Sequence, residues 1–441
     1  MYHHKSRQSG VGSKGKKALL FVLALVIAPA LSLGACSGGS AGGDSGSGAE
    51  SGETLSMLML RTNEPGMNIV LEDFAEEFPD IKIEAEFIGD IATFDSQVTS
   101  TFAAGNGVDM IHLIAGGSVP PSVQRFADAG HILDLSDQPW VSGMYEPAKD
   151  LMMYDGKVYA KDFGFCPLAS LMYDKDYFEE NDLTPPTTFD ELVALCEEIK
   201  ALGRIPISWG AAELAVNNNN VFVMAGNNVM SKDSEWMQKR LDGRVTFADD
   251  ADWKRTLEQL KQLIDLGAFA PGAAAMNQTE MISDFAAGNT AMMFTYGGMA
   301  GLVKQETPDF NIGMIAFPGL KAEDTRVMLQ SSGGLCINSK LKNTEAAYTF
   351  LDFWSRPEES AKFAEAANVI SASQAVSGDL GGTYAEMAPV FKAGGTIPDA
   401  TAALPNMSFS NEAGASVQGL FTGQKTVEQC LADFDTFFEK E

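Results

Sequence analysis

Beyond residue 53 the chain alternates two kinds of apolar spacing. Thr54–Leu60 is a near-continuous apolar run, as a buried strand requires, and Arg61–Gly66 reads as the loop that follows it. Met67, Val70, Leu71, Phe74 and Phe78 then recur every three or four residues, which predicts a helix that Pro79-Asp80 ends. Ile81, Ile83, Ala85 and Phe87 alternate with Lys82, Glu84 and Glu86, the spacing of a half-buried strand. A helix is expected over Thr93–Ala104, stopped by Gly105, and Asp109–Ile114 has the apolar continuity of a central parallel strand. The order strand, helix, strand, helix, strand predicts an α/β lobe. Ligands of open α/β sheets sit outside the carboxyl ends of the strands. That places Asn63 and Glu64, in the loop after the first strand, and Gly116 and Ser118, in the loop after the third, among the candidate ligand contacts.

Phe102-Ala103-Ala104-Gly105-Asn106 and Phe285-Ala286-Ala287-Gly288-Asn289 are identical, and each lies between a helical pattern and an apolar strand. Two copies of one helix-glycine-strand unit are what two similarly built α/β lobes would carry.

The middle of the chain reads more locally. Leu168–Tyr173 is a strand and Lys175–Asn181 a short helix. Thr188 and Glu191 have the spacing of a capping box ahead of a helix that buries Leu192, Leu195, Cys196, Ile199 and Leu202. Asn217–Asn220 reads as a loop before an apolar helix, Val221–Ala225, with Asn220 as N-cap. A cap needs one asparagine; the other three, Asn217, Asn218 and Asn219, are candidates for binding hydroxyl groups, since an amide both donates and accepts. Trp209, Trp236, Trp253 and Trp354 stand in core-like contexts, and Cys166, Cys196, Cys336 and Cys430 have no metal-ligand spacing and are expected as free thiols.

Three motifs carry a family resemblance: Asp155-Gly156-Lys157-Val158-Tyr159, Met172-Tyr173-Asp174-Lys175-Asp176-Tyr177-Phe178 and Pro186-Thr187-Thr188-Phe189-Asp190-Glu191-Leu192. Together they make this segment similar to the extracellular solute-binding proteins of ABC importers, in the family that serves carbohydrate uptake. Further matching pieces continue almost to the end of the chain. The resemblance implies an α/β fold of the two-lobed, type II periplasmic-binding-protein kind, with ligand in a cleft between lobes joined by a multi-strand hinge. It implies a first lobe from 54–161 and 317–355 and a second from 162–316 and 356–441, with crossings near Asp162-Phe163, Ile315-Ala316 and Arg356-Pro357. It also implies no catalysis, delivery of the ligand to ABC permease subunits, a monomer, and no cofactor or metal. Members usually carry Gly-x-Trp near Tyr296, with the Trp stacked on a sugar ring; here Tyr296 is the nearest aromatic, and Phe409 occupies another common aromatic position. Phe163 and Ser332 are cleft candidates by position.

Charge and the amino terminus change the picture further. Five basic and no acidic residues precede Cys36, so the remainder carries 26 basic against 59 acidic side chains, a net of about −33. Such a surface disfavours nucleic acid. Lys5, Arg7, Lys14, Lys16 and Lys17 lead into the apolar run Ala18–Leu33, which is short and wrongly flanked for a membrane span but fits a secretion signal over residues 1–35. Leu33-Gly34-Ala35-Cys36 resembles a lipobox, with Cys36 as the lipidated residue. Residues 37–52 include twelve Gly or Ser in sixteen positions, a flexible tether spanning roughly 20 to 24 Å. The expected location is therefore the outer face of a bacterial cell membrane, in a cell without an outer membrane.

The expected function is capture of an oligosaccharide for import. Glycerol phosphate would call for cations in the cleft loops, where Arg61 and Lys161 offer themselves, and a polyamine for acids such as Glu64, Asp109 and Asp162. A tethered carbohydrate hydrolase is the rival of a different class. The Gly-x-Ser-x-Gly match at 38–42 falls in the tether and the Gly-x-Gly-x-x-Gly match at 10–15 in the signal, and neither has the strand-turn-helix context that its chemistry needs.

Overall fold

The computed structural model describes residues 53–439 apart from 90, 116–120, 372–377 and 405–406, and only the backbone at 91, 92, 147, 148, 403 and 407. Cys36, Gly116 and Ser118 lie outside the described residues, as do the segments expected to be signal and tether.

The strands, in chain order, are β1 (Glu53–Leu60), β2 (Ile81–Ile88), β3 (Met110–Leu113), β4 (Met153–Tyr154), β5 (Lys157–Val158), β6 (Lys161–Asp162) and β7 (Phe165–Pro167). They continue as β8 (Ser170–Asp174), β9 (Ile205–Ser208), β10 (Thr290–Thr295), β11 (Ile312–Ile315), β12 (Val327–Ser331), β13 (Gly334–Ile337) and β14 (Thr396–Pro398). The first sheet has the order β2-β1-β3-β13-β6, the second β11-β8-β10-β9, and a third, smaller one β14-β12-β7. β1 runs parallel to both β2 and β3, as the β-α-β pattern requires, whereas β13 returns from far along the chain and pairs antiparallel to β3.

Both faces of the first sheet are covered. Leu55, Met57 and Met59 of β1 pack with Met67, Val70 and Phe74 of helix α1 (Glu64–Glu77), while Leu58 and Leu60 pack with Phe94, Val98 and Phe102 of α2 (Ile91–Ala103). α1 begins at Glu64, directly after a 3-10 turn at Arg61–Asn63, so the loop expected through Gly66 is helical from its fourth residue. Pro65 at the first turn explains this, because its missing N–H has no intrahelical partner there in any case.

The second sheet is layered in the same way. Met292 and Phe294 of β10 face the larger core, with Trp209, Leu192 and Cys196, and Met293 faces Ile282 and Phe285 on the other side. The helix α3 (Phe189–Ala201) has the expected capping box: Glu191 N–H donates to Thr188 Oγ1 at 3.3 Å, and Thr188 N–H to Glu191 Oε2 at 3.2 Å. The repeated pentapeptide ends helices in both lobes. Asn106 N–H donates to Thr101 O at 2.9 Å after α2, and Asn289 N–H to Asp284 O at 3.1 Å after Gln278–Ala286, each just before a strand of its sheet.

Core packing groups two segments differently from the division expected at 315–316 and 356–357. Phe317 and Met328 pack in the second lobe's core, so the chain stays there through β12. The helix Pro357–Ala366 instead puts Phe363 and Ala364 into the first lobe's core against α1, because its apolar face completes the layer made by Phe350 and Trp354.

Candidate functional site

Among the described residues three segments connect the lobes, and they hydrogen-bond to one another. β6 belongs to the first sheet and β7 to the third; the same change of sheet occurs between β12 and β13. Phe163 N–H donates to Gly333 O, and Ser332 N–H to Gly164 O, both at 3.0 Å; Phe165 and Ile370 exchange backbone bonds of 2.8 and 2.7 Å. Gly164 and Gly333 have φ of 100° and 87°, and a Cβ at either would stand 2.6 Å from a backbone oxygen. Only glycine fits two strands that turn and touch this closely. His112 braces the crossing. Its Nδ1 accepts from Leu60 N–H at 3.3 Å, the Ser332 carbonyl accepts from the ring, and burial pushes its pKa down to about 4.

Beside the crossing, between the carboxyl end of β3 and the second lobe, lies a cavity of about 250 Å³. Ile114, Ala115 and Leu151 line it on one side; Asn219, Tyr296, Gln330, Ser331, Asp399 and Thr401 supply its polar groups. Asn219 reaches it from helix α4 (Leu214–Ala225) and donates through Nδ2 to the Tyr296 hydroxyl. Tyr296 stands at the end of β10. Burial above all, with the charge of Asp399, pushes its pKa up to about 12, so at neutral pH the phenol can both donate and accept. Asp399 accepts from Thr401 N–H at 2.8 Å and Thr401 Oγ1 at 2.6 Å, and from Gln330 Nε2 at 3.4 Å. Burial raises its pKa, and these bonds oppose the rise. No Lys or Arg lines this cavity among the described residues, and no group of His, Cys, Asp and Glu there could hold a metal ion.

Of the described residues expected in the cleft, the structure brings Asn219 and Tyr296 together in this cavity, and the others do not line it. The asparagine run is not a loop. It lies inside α4, whose N-cap is Glu213, and all four side chains are buried. Asn217 Oδ1 accepts from Trp209 Nε1 at 2.8 Å while its Nδ2 donates to Ala211 O and Gly414 O, and Asn220 Nδ2 donates to Phe294 O at 2.9 Å. These two amides tie a helix to its neighbours. Asn218 is 1% exposed, and neither polar atom of its side chain has a hydrogen-bond partner among the described residues.

Phe409 is wholly buried among Phe222, Phe247, Phe434 and Phe438, a ring in the core and not a platform for ligand. Phe163 is likewise buried, 4.6 Å from His112 and 5.4 Å from Trp354 between ring centres. Asn63 is buried at the end of the 3-10 turn, and Glu64 pairs with Arg61 at 3.4 Å outside the cavity. Ser332 sits on the crossing, one residue beyond the cavity-lining Ser331. Asp109 accepts from Ser56 N–H and Oγ at 2.8 and 2.7 Å and so fastens β1.

Sequence reasoning missed Gln330, Asp399 and Thr401. Gln330 was visible as a polar residue at the end of an apolar strand. Asp399 and Thr401 had only the Asp-x-Thr pattern of a local turn, which does not distinguish a cavity wall from any other capped loop.

The family model of the bacterial extracellular solute-binding proteins matches residues 70–389. A Pyrococcus horikoshii protein named an uncharacterized ABC transporter extracellular-binding protein is 26% identical over 57% of this chain and 57% of its own. The multiple sugar-binding protein of Streptococcus mutans is 23% identical over 64% and 66%, so the chain spans less than two thirds of the length of either relative. In three dimensions the chain resembles the apo form of RafE from Streptococcus pneumoniae, with a TM-score of 0.72 at 20% identity over 89% of this chain and 98% of that one. It also resembles RafE in complex with raffinose, with a TM-score of 0.66 at 19% identity over 87% and 98%. Two α/β lobes, crossing strands between them and a cavity where they meet are the type II architecture of those neighbours, and by its sequence the chain belongs to the bacterial extracellular solute-binding proteins.

Proposed function

We propose that this protein is a lipid-anchored receptor that captures a neutral oligosaccharide between its lobes and presents it to the permease of an ABC importer, without chemical change to the ligand. The observation that carries this reading is the lining of the interlobe cavity: an amide pair, a phenol, hydroxyls and one carboxylate, with no cation among the described residues. Sugar hydroxyls donate and accept, and these groups answer both needs. The same lining disfavours a phosphate ester. A single carboxylate already bonded to Thr401 is a poor match for a polyamine, and Arg61, Lys161, Glu64, Asp109 and Asp162 all lie outside the cavity. The raffinose complex of RafE and the name of the Streptococcus mutans relative support sugar as the ligand class. Cys36 with its glycine-serine tether supports the anchor.

We infer further that the lobes divide at 162–165, 331–334 and 368–371, since these segments hydrogen-bond to one another there and Gly164 and Gly333 turn the first two with positive φ. Binding at the cavity would then close the lobes about those segments, in a chain acting as a monomer.

A melting screen of the chain from residue 37 onward against oligosaccharides, phosphate esters and polyamines tests the ligand class. A ligand at a thousand times its Kd stabilises the folded state by about 4.1 kcal/mol, which is plainly visible as a rise in Tm. The expected hit is an oligosaccharide whose affinity is the same at low and high salt; a hit confined to phosphate esters or polyamines, weakening as salt rises, refutes the reading.

A further inference from the structure

Helix α4 does not stop at Ala225. It runs on into a π turn, Gly226–Met230, closed by a 2.9 Å bond from Ser231 N–H to Gly226 O. Single π turns inside helices are uncommon and often stand at functional sites. This one buries two successive asparagines that hold different neighbours. Asn227 is 3% exposed; its Nδ2 donates to Phe317 O at 2.8 Å, and its Oδ1 accepts from Arg326 N–H at 2.7 Å. Asn228 Nδ2 donates to Thr256 Oγ1 at 3.1 Å and to Gln259 Oε1 at 2.7 Å, both on the helix Ala251–Leu266. Asn227 thus grips the residue that leads into β12, and Asn228 grips a helix whose residues do not line the interlobe cavity.

Close packing reinforces the grip on β12. A Cβ at Gly226 would stand 2.9 Å from Ile397 Cδ1 and 3.3 Å from Met328 Cε, so the turn lies directly on β14 and β12. From this common anchor two elements lead to the cavity. Asn219 is eight residues back along the helix, about 12 Å at the α-helical rise. Gln330 is four residues on from Arg326 along β12, about 13 Å at the rise of a strand. The two distances match, and both residues line the same cavity. Side chains on a strand change face with every residue, so a shift of β12 by one position would turn Gln330 away and break its contact with Asp399.

We propose that Asn227 is a positioning residue for the ligand site: through Arg326 it fixes how far β12 extends along α4, and so brings Gln330 and Ser331 to the cavity that Asn219 and Tyr296 reach from α4 and β10. This rests on the interlobe cavity being the ligand site, which Asn227 itself does not line.

Two substitutions attack the link and one spares it. Asn227→Leu removes both side-chain bonds at similar volume. Arg326→Pro removes the N–H that Asn227 accepts, along with the guanidinium bonds to Glu323 O and Thr325 O. Thr325, at φ −64° and ψ 129°, already has the conformation that a residue before proline prefers. The bond from Arg326 N–H to Asn227 Oδ1 is the one that both variants lose. Asn228→Leu removes two bonds one residue away and leaves β12 held.

Hydrogen exchange of the chain from residue 37 onward needs no ligand. Exchange over residues 327–331, taken relative to β10 so that a uniform loss of stability cancels, should rise about tenfold in Asn227→Leu and Arg326→Pro and stay unchanged in Asn228→Leu. Calorimetry with raffinose, stachyose, xylotriose and chitotriose supplies the second readout. Any of these that binds the unaltered chain should bind about tenfold more weakly to the first two variants and equally well to Asn228→Leu. Circular dichroism confirms folding, and Arg326→Pro carries the test if Asn227→Leu does not fold. Unchanged relative exchange in the first two variants overturns the proposal; so does an equal rise in Asn228→Leu, or a bound sugar whose affinity the first two variants leave intact. If none of the four sugars binds the unaltered chain, that counts against the sugar reading, and exchange alone decides the role of Asn227.

Discussion

Asn217–Asn220 on α4 and Thr396–Leu404, the stretch holding β14 and the turn after it, both bring polar groups to the second lobe, and they use them in opposite ways. Along the helix, Asn217 and Asn220 bond to backbone carbonyls and an indole, the Asn218 side chain bonds to none of the described residues, and of the four only Asn219 meets the cavity. In the irregular stretch, Asp399, Thr401, Ala402 and Leu404 all line the cavity. An amide inside a packed helix is surrounded by backbone groups that need partners, so it is captured by the fold. A stretch held at a sheet edge by β12 borders the cavity, where Asp399 accepts from Thr401 and Gln330 beside the space a ligand would take. A run of polar residues is thus a weaker sign of a binding site than a short polar stretch at the edge of a sheet.

Three substitutions in the asparagine run would break or sharpen this contrast. Asn217→Ala should have the largest effect, a loss of about 3 to 5 kcal/mol of unfolding free energy in urea, because it removes three bonds and leaves the Trp209 N–H buried without an acceptor. A loss under about 1 kcal/mol would mean that this amide is not structural. Next, Asn219→Ala should weaken binding of the ligand found in the melting screen about tenfold, equivalent to 1.4 kcal/mol, with the unliganded Tm nearly unmoved. An early melting transition with normal affinity would move Asn219 to the structural group. The smallest change is expected from Asn218→Leu, which replaces an unpartnered buried amide by an apolar side chain of similar size and should raise the urea midpoint by the equivalent of about 1 kcal/mol. A lower midpoint would show that the amide has a partner in solution.

The architecture was legible where periodicity was strong. The alternation of Ile81–Phe87, the capping box at Thr188 and the repeated helix stop all describe local geometry, and the backbone follows them. The α/β class and the family came from motifs that span most of the chain. The cleft was harder to see because its wall depends on distant pairing: Gln330 and Asp399 are brought together only when β12 pairs with β14. Four adjacent asparagines carry no sign of whether they precede a helix or occupy it, since asparagine favours caps and yet serves well in a helix whose neighbours supply carbonyls. Phe409 shows the same limit. An aromatic side chain suits a cavity wall and a core equally, and the four phenylalanines around it lie at positions from 222 to 438.

The place of β13 in the first sheet has a consequence for how such a chain is made. β3 has no partner on one edge until residues 334–337 arrive, and the core beneath it is not closed until Phe363 follows. During synthesis the first lobe therefore waits for most of the second, with an unpaired strand edge exposed in the meantime. If the chain is exported from its amino end, as the proposed signal requires, that delay would keep it threadable until both halves can fold together.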